Sequence, residues 1–164
     1  MWLAFLFISL GIVARLIPHV PNFAPVAAVA LFSGLYWRGR YGVFVPLLVY
    51  IISDLIIGLH DVVLFTWTSM VVVYFLGIYL RKRKTFTNLI VGALVSSVFF
   101  FLVTNFGVWL AGWYPRNLEG LISCYVYALP FFRVSLLANF AYIILFSGAY
   151  EYFLSRFRLT QKAV

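Results

Sequence analysis

Residues 86–110 read FTNLIVGALVSSVFFFLVTNFGVWL, a run without a single charged side chain. Its apolar residues are continuous and do not alternate, so it is no half-buried strand. About 20 residues of this kind cross a hydrocarbon core of about 30 Å as a helix. In lipid the backbone amides must be satisfied internally, which leaves a helix or a closed barrel. A barrel strand would alternate lipid-facing and lumen-facing residues, and this run does not. The stretch therefore predicts a membrane-spanning helix, and with it an all-α membrane fold.

The rest of the chain has the same character. Of its 164 residues, 65% are hydrophobic, 21% aromatic and only 10% charged, with a mean hydropathy of +1.06. A soluble domain of this size could not cover that much apolar surface. Further apolar runs occupy residues 2–17, 24–37, 43–59, 62–80 and 130–154. Together they predict a single integral membrane domain, residues 1–164, built as a bundle of six transmembrane helices. The run at 24–37 is short for a bilayer and is expected to end below one surface or to borrow from its flanking loop. The first run lacks a basic leader and a small-residue cleavage site, so it is read as a retained span. Between the last two spans lies WYPRNLEGLISCYVYALPFF, residues 113–132. One helix over 120–153 would be about 50 Å long, more than a membrane needs. The expectation is a short surface helix over 118–128, a break, and Pro130 in the first turn of the sixth span.

Charge orders the spans. Arg38 and Arg40, then Arg81, Lys82, Arg83 and Lys84, then Arg156, Arg158 and Lys162 all fall on one side of six spans, leaving Arg15, Arg116 and Arg133 for the other. Positive residues gather on the cytoplasmic side, so both termini are expected there. The same distribution accounts for the net charge of +8 as a topology signal with lipid headgroup contacts, without nucleic acid as a partner.

The outer side is chemically mixed. Arg15, Arg116 and Arg133 share it with Asp54, Asp61, Glu119 and both histidines, His19 and His60. Asp54, in LVYIISDLIIGLHD, is expected roughly 8 Å inside the end of its span. A carboxylate at that depth faces the bundle interior, either in an ion pair with Arg15 or Arg133 or against a ligand. Arg133 either snorkels to the headgroups or turns inward. Asn105 and Asn139 sit within spans and are suited to interhelical hydrogen bonds or to ligand contact. The stretch RLIPHVPNFAP, residues 15–25, carries three prolines that stiffen it, and Arg15, His19 and Asn22 that equip it to cap a pocket. The candidate ligand-binding set is thus Arg15, His19, Asn22, Asp54, Asn105, Arg133 and Asn139. The pocket is expected in the outer half, roofed by 15–25 and walled by spans 3, 5 and 6. No histidine pair at helical spacing and no acid pair points to a metal, a cofactor or a catalytic centre. Cys124, the one cysteine, reads as a small apolar filler.

The stretches RLIPHVPNFAPVAAVALFSG, SDLIIGLH, TNFGVW and CYVYALPFFR together resemble an uncharacterised family of small bacterial six-span membrane proteins. That family resembles in turn the S components of energy-coupling factor (ECF) vitamin transporters. The resemblance implies six helices, cytoplasmic termini, an outward pocket capped by the loop between the first two helices, and no enzymatic activity. It implies a vitamin-like ligand, and a coupling subunit with two ATPases as partners. No phosphate-binding GxxxxGK[ST] occurs here, so any ATP use belongs to another chain. S components often carry small residues four apart on helix 1 for docking. Here Gly11 and Ala14 are three apart, and the four-residue spacing occurs at Ala24–Ala28 and Ala30–Gly34. Close helix packing is the plain reading of these pairs, and the coupling module is the part of the resemblance they leave open. The leading expectation is a substrate-binding subunit for uptake of a vitamin-like micronutrient. The alternatives are a membrane enzyme acting on a lipid or isoprenoid substrate, or a structural membrane subunit.

Overall fold

A computed structural model describes residues 2–17, 22–37 and 42–162, with the side chains of 2–5, 7, 8, 12, 45, 49 and 157–162 excepted. Among these residues the protein is all-helical: α1 (Trp2–Leu16), α2 (Val26–Tyr36), α3 (Phe44–Ile57), α4 (Val63–Leu80), a 3-10 turn (Arg81–Arg83), α5 (Phe86–Leu110) and α6 (Leu118–Lys162). Three stretches, Val63–Arg83, Phe86–Leu110 and Leu118–Arg156, are long and apolar enough to cross a membrane.

The short second run becomes the centre of the bundle. Every residue of α2 from Ala27 to Tyr36 is buried, and the helix touches all five others. A helix apolar on all sides belongs inside, and this one is (VAAVALFSGLY). At 11 residues it is only about 16 Å long. Its ends therefore lie among other helices. The C-terminal end is closed by Arg81, whose guanidinium donates to the carbonyl oxygens of Gly34 (2.5 and 2.9 Å) and Trp37 (2.5 Å). The cation also opposes the negative end of the helix dipole. Arg81→Ala is expected to lower stability by about 2 kcal/mol, read as a fall in the thermal midpoint of the detergent-solubilised protein. Arg81→Lys should restore only part, because a point ammonium cannot span both carbonyls. An unchanged midpoint in Arg81→Ala would deny the capping role.

The tightest approach in the bundle joins α2 to α4. A Cβ on Gly34 would lie 2.1 Å from the carbonyl oxygen of Tyr74 and 2.8 Å from the Cα of Gly77. A Cβ on Gly77 would lie 2.5 Å from the carbonyl oxygen of Leu31. The backbones meet because neither residue has a side chain. Gly11 on α1 is likewise covered, by Val29 of α2. These small residues are consumed within the bundle.

The helix break expected before Pro130 is not there. α6 runs as one helix of 45 residues, roughly 68 Å, with Pro130 inside it. The reason lies in α5. On one side of the proline, Tyr125 donates to the carbonyl of Leu102 at 2.7 Å and Cys124 Sγ approaches that of Asn105 at 3.4 Å. On the other, the rings of Phe132 and Phe101 are 4.7 Å apart, and Asn139 donates to the carbonyl of Ala93 at 2.8 Å. Both halves are fastened to the same partner helix, which keeps the helix continuous across the missing N–H. The turn before α6 is tight: Gly112 has φ +88° and ends α5, and Asn117 caps α6 through its side-chain oxygen and Gly120 N–H, 2.8 Å.

Candidate functional site

The bundle has two chemically distinct ends. At one end lie Arg81 and the exposed pair Lys84–Glu151, 3.1 Å, with the Lys84 ammonium 4.3 Å from the centre of the Tyr36 ring. The other end holds a cavity of about 500 Å³.

Arg15 stands at the cavity wall, in the last turn of α1. Three residues of α3 at spacing i, i+3, i+4 share one face and receive it: Tyr50, Ser53 and Asp54. Nη2 of Arg15 meets Oδ1 of Asp54 at 2.5 Å, and Nη1 donates to Ser53 Oγ. Ser53 Oγ in turn donates a hydrogen bond to the carbonyl of Tyr50 at 3.0 Å, and the guanidinium carbon lies 4.5 Å from the centre of the Tyr50 ring. The second oxygen of Asp54 accepts from the indole N–H of Trp67 on α4 at 2.8 Å. Asp54 is 1% exposed, and both its oxygens are occupied by charged or neutral donors. The interior carboxylate expected from sequence is therefore in place, and its cationic partner is Arg15 and not Arg133. Trp67 and Ser53 complete the arrangement. Sequence reasoning did not single out Ser53; the i, i+3, i+4 spacing of Tyr50, Ser53 and Asp54 was the available signal.

The walls come from several elements. α5 presents Ser97, Phe101, Thr104, Asn105 and Val108, one helical face from the middle of the helix to its last turn. α6 presents Ala128, Phe131, Phe132 and Ser135 at spacing i, i+3, i+4, i+7. Val26 and Ala27 open α2 onto the space, and Ile57, Val62 and Thr66 close the side toward α3 and α4. The lining is mostly apolar with a few polar groups, the usual make-up of a small-molecule site. Several of those groups keep unused capacity. Asn105 donates through Nδ2 to the carbonyl of Phe101 at 2.8 Å, which leaves its side-chain oxygen Oδ1 as an acceptor. Ser97 Oγ accepts from Asn139 Nδ2 at 2.8 Å, which leaves its proton to donate.

The seven candidate residues separate accordingly. Arg15, Asn22 and Asn105 line the cavity. Asn22 holds φ +63°, a conformation asparagine tolerates, and its carbonyl accepts from Ser135 Oγ at 3.3 Å, tying the segment before α2 to α6. Asp54 stands one contact behind Arg15, and Asn139, 3% exposed, stands one contact behind Ser97. Asn139 also binds the carbonyl of Ala93, so it bridges α5 and α6. Arg133 is exposed on α6 and is not brought to the cavity. His19 lies outside the described residues, as does the 18–21 part of the expected roof. Among the described residues no three His, Cys, Asp or Glu gather as metal ligands.

Over residues 1–162 the sequence matches a family described as a family of unknown function, DUF6580. The chain belongs to the DUF6580 family. No curated protein and no solved structure matches it. In this DUF6580 member the cavity and the Arg15–Asp54 pair at its wall form the candidate site.

Proposed function

We propose that this DUF6580 protein is a substrate-binding membrane subunit that takes up a vitamin-like micronutrient and holds it in the cavity beside Arg15. The observation that carries this reading is the cavity itself, apolar-walled, with an arginine clamped at its edge by Ser53, Asp54 and Tyr50. A side chain locked by its neighbours loses little entropy on meeting a ligand, which favours recognition over a purely structural role. We place six spans in a bacterial inner membrane, both termini in the cytoplasm and the cavity facing outward. The support is the grouping of basic residues, including Arg81, Lys82, Arg83 and Lys84, at the end opposite the cavity. On this reading the protein is not an enzyme, and energy for release comes from a coupling subunit and its ATPases.

Two measurements test it. Reporter fusions after Arg40, after Lys84 and at the C-terminus should all report cytoplasm; a periplasmic signal after Lys84 would overturn the topology. Mass spectrometry of small molecules released from gently solubilised protein should find a compound in the wild type that is lost in Ala128→Trp, which fills the cavity from α6. Identical small-molecule profiles for the two proteins would count against binding and in favour of a structural subunit.

A further inference from the structure

We infer that the cavity selects a ring-bearing molecule without positive charge, held against Arg15 by an oxygen acceptor, a carboxylate or a carbonyl. The inference rests on the reading of the cavity as a binding site and names the class of molecule it takes.

Charge decides the first part. Among the described lining residues Arg15 is the one charged group, and no carboxylate faces the space. Asp54 is close by, but both its oxygens are turned to Arg15 and Trp67. A cation entering the cavity would lose hydration and find no anion to replace it. It would also meet the guanidinium directly. The first turn of α2 adds to this field, since Val26 and Ala27 border the cavity and Pro25 provides no side-chain cap.

Hydrogen-bond geometry decides the second part. A guanidinium has five N–H groups in a planar fork. Two contacts, to Ser53 and Asp54, orient it, and its carbon lies 4.5 Å from the centre of the Tyr50 ring. The donors that remain suit an oxygen acceptor in the guanidinium plane. Because Asp54 already balances the charge, a neutral carbonyl is accepted as well as a carboxylate.

The walls decide the third part. Phe101 and Phe132 stand 4.7 Å apart with their rings tilted by 40°, and Phe100 and Phe131 adjoin them along the same helices. Aromatic faces and edges of this kind favour a planar ring in offset or edge contact. The volume of about 500 Å³ admits a ring system with a substituent.

The test uses three probes with the same fused ring system and three charges: a naphthalene carboxylate, the corresponding carboxamide and the corresponding methylammonium. Each is added at millimolar concentration to the detergent-solubilised full chain, and affinity is read from the thermal shift. The carboxylate and the carboxamide are expected to stabilise the wild type and the methylammonium is not. Arg15→Lys keeps the charge pair with Asp54 and loses the fork, so it should weaken carboxylate binding about tenfold. Ala128→Trp should abolish both responses. A methylammonium that binds as tightly as the carboxylate, or an Arg15→Lys protein with unchanged carboxylate affinity, overturns the inference and leaves the cavity reading standing. If none of the three shifts the wild type, the cavity reading falls and this inference with it.

Discussion

Asp54→Asn is expected to cost about 3 kcal/mol of stability, seen as a large fall in the thermal midpoint of the solubilised protein. The carboxylate serves two donors at once, Arg15 on one oxygen and Trp67 on the other. An amide of the same shape offers one oxygen and one NH2. Whichever way it turns, a donor is set against a donor, and one of Arg15 and Trp67 loses its acceptor. The lost charge matters more. With Asp54 neutralised, a guanidinium only 14% exposed is left in a low-dielectric setting without its anion. Breaking a buried pair on one side costs far more than the pair contributes when whole. The double substitution Arg15→Met with Asp54→Leu removes both charges and should recover most of the loss. If Asp54→Asn melts with the wild type, the pair carries no stability; if the double variant melts as low as the single one, the loss comes from packing and not from charge.

The second large effect is expected at Gly34. In Gly34→Ala the added methyl would lie 2.1 Å from the Tyr74 carbonyl oxygen and 2.8 Å from Gly77 Cα. These are backbone atoms of another helix and cannot swing aside. The helices must separate, and with them the buried α2 surface that touches every other helix. Overpacking against backbone is expected to cost about 3 kcal/mol or more, enough to reduce the yield of folded protein. Gly148→Ala is the control, because a Cβ there meets nothing within 4 Å. On helix propensity alone that change should stabilise by up to about 1 kcal/mol. Equal midpoints for the two alanine variants would deny the close α2–α4 contact.

Much of this was legible in the residues, and what was not has identifiable causes. Helix bounds at α4 and α5 follow from where apolar runs meet RKRKT and from Thr85, whose hydroxyl accepts from Asn88 N–H at 3.2 Å. Local chemistry of this kind is written in adjacent positions. The interior placement of Asp54 was legible too, since a lone carboxylate in an apolar run has few tolerable positions. Its choice between Arg15 and Arg133 was not, because both lie on other helices and nothing in sequence sets their distance. The course of α6 was misread for the same reason. Proline weakens a helix locally, but Tyr125, Phe132 and Asn139 hold both sides of it to α5. Asn105 and Asn139 look alike as polar residues in apolar spans, yet one borders the cavity and the other stands behind its wall.

The sequence by itself determined the helical class, the apolar character of the long helices and the grouping of basic residues, because hydropathy and charge act residue by residue along the chain. Only the tertiary structure decided that the shortest run would be the buried hub, that Arg15 would be the partner of Asp54, and that Ser97, Asn105 and Phe132 would border one space. Those outcomes depend on which helix faces which, and that is settled by contacts such as Gly34 against Gly77, between residues far apart in the chain.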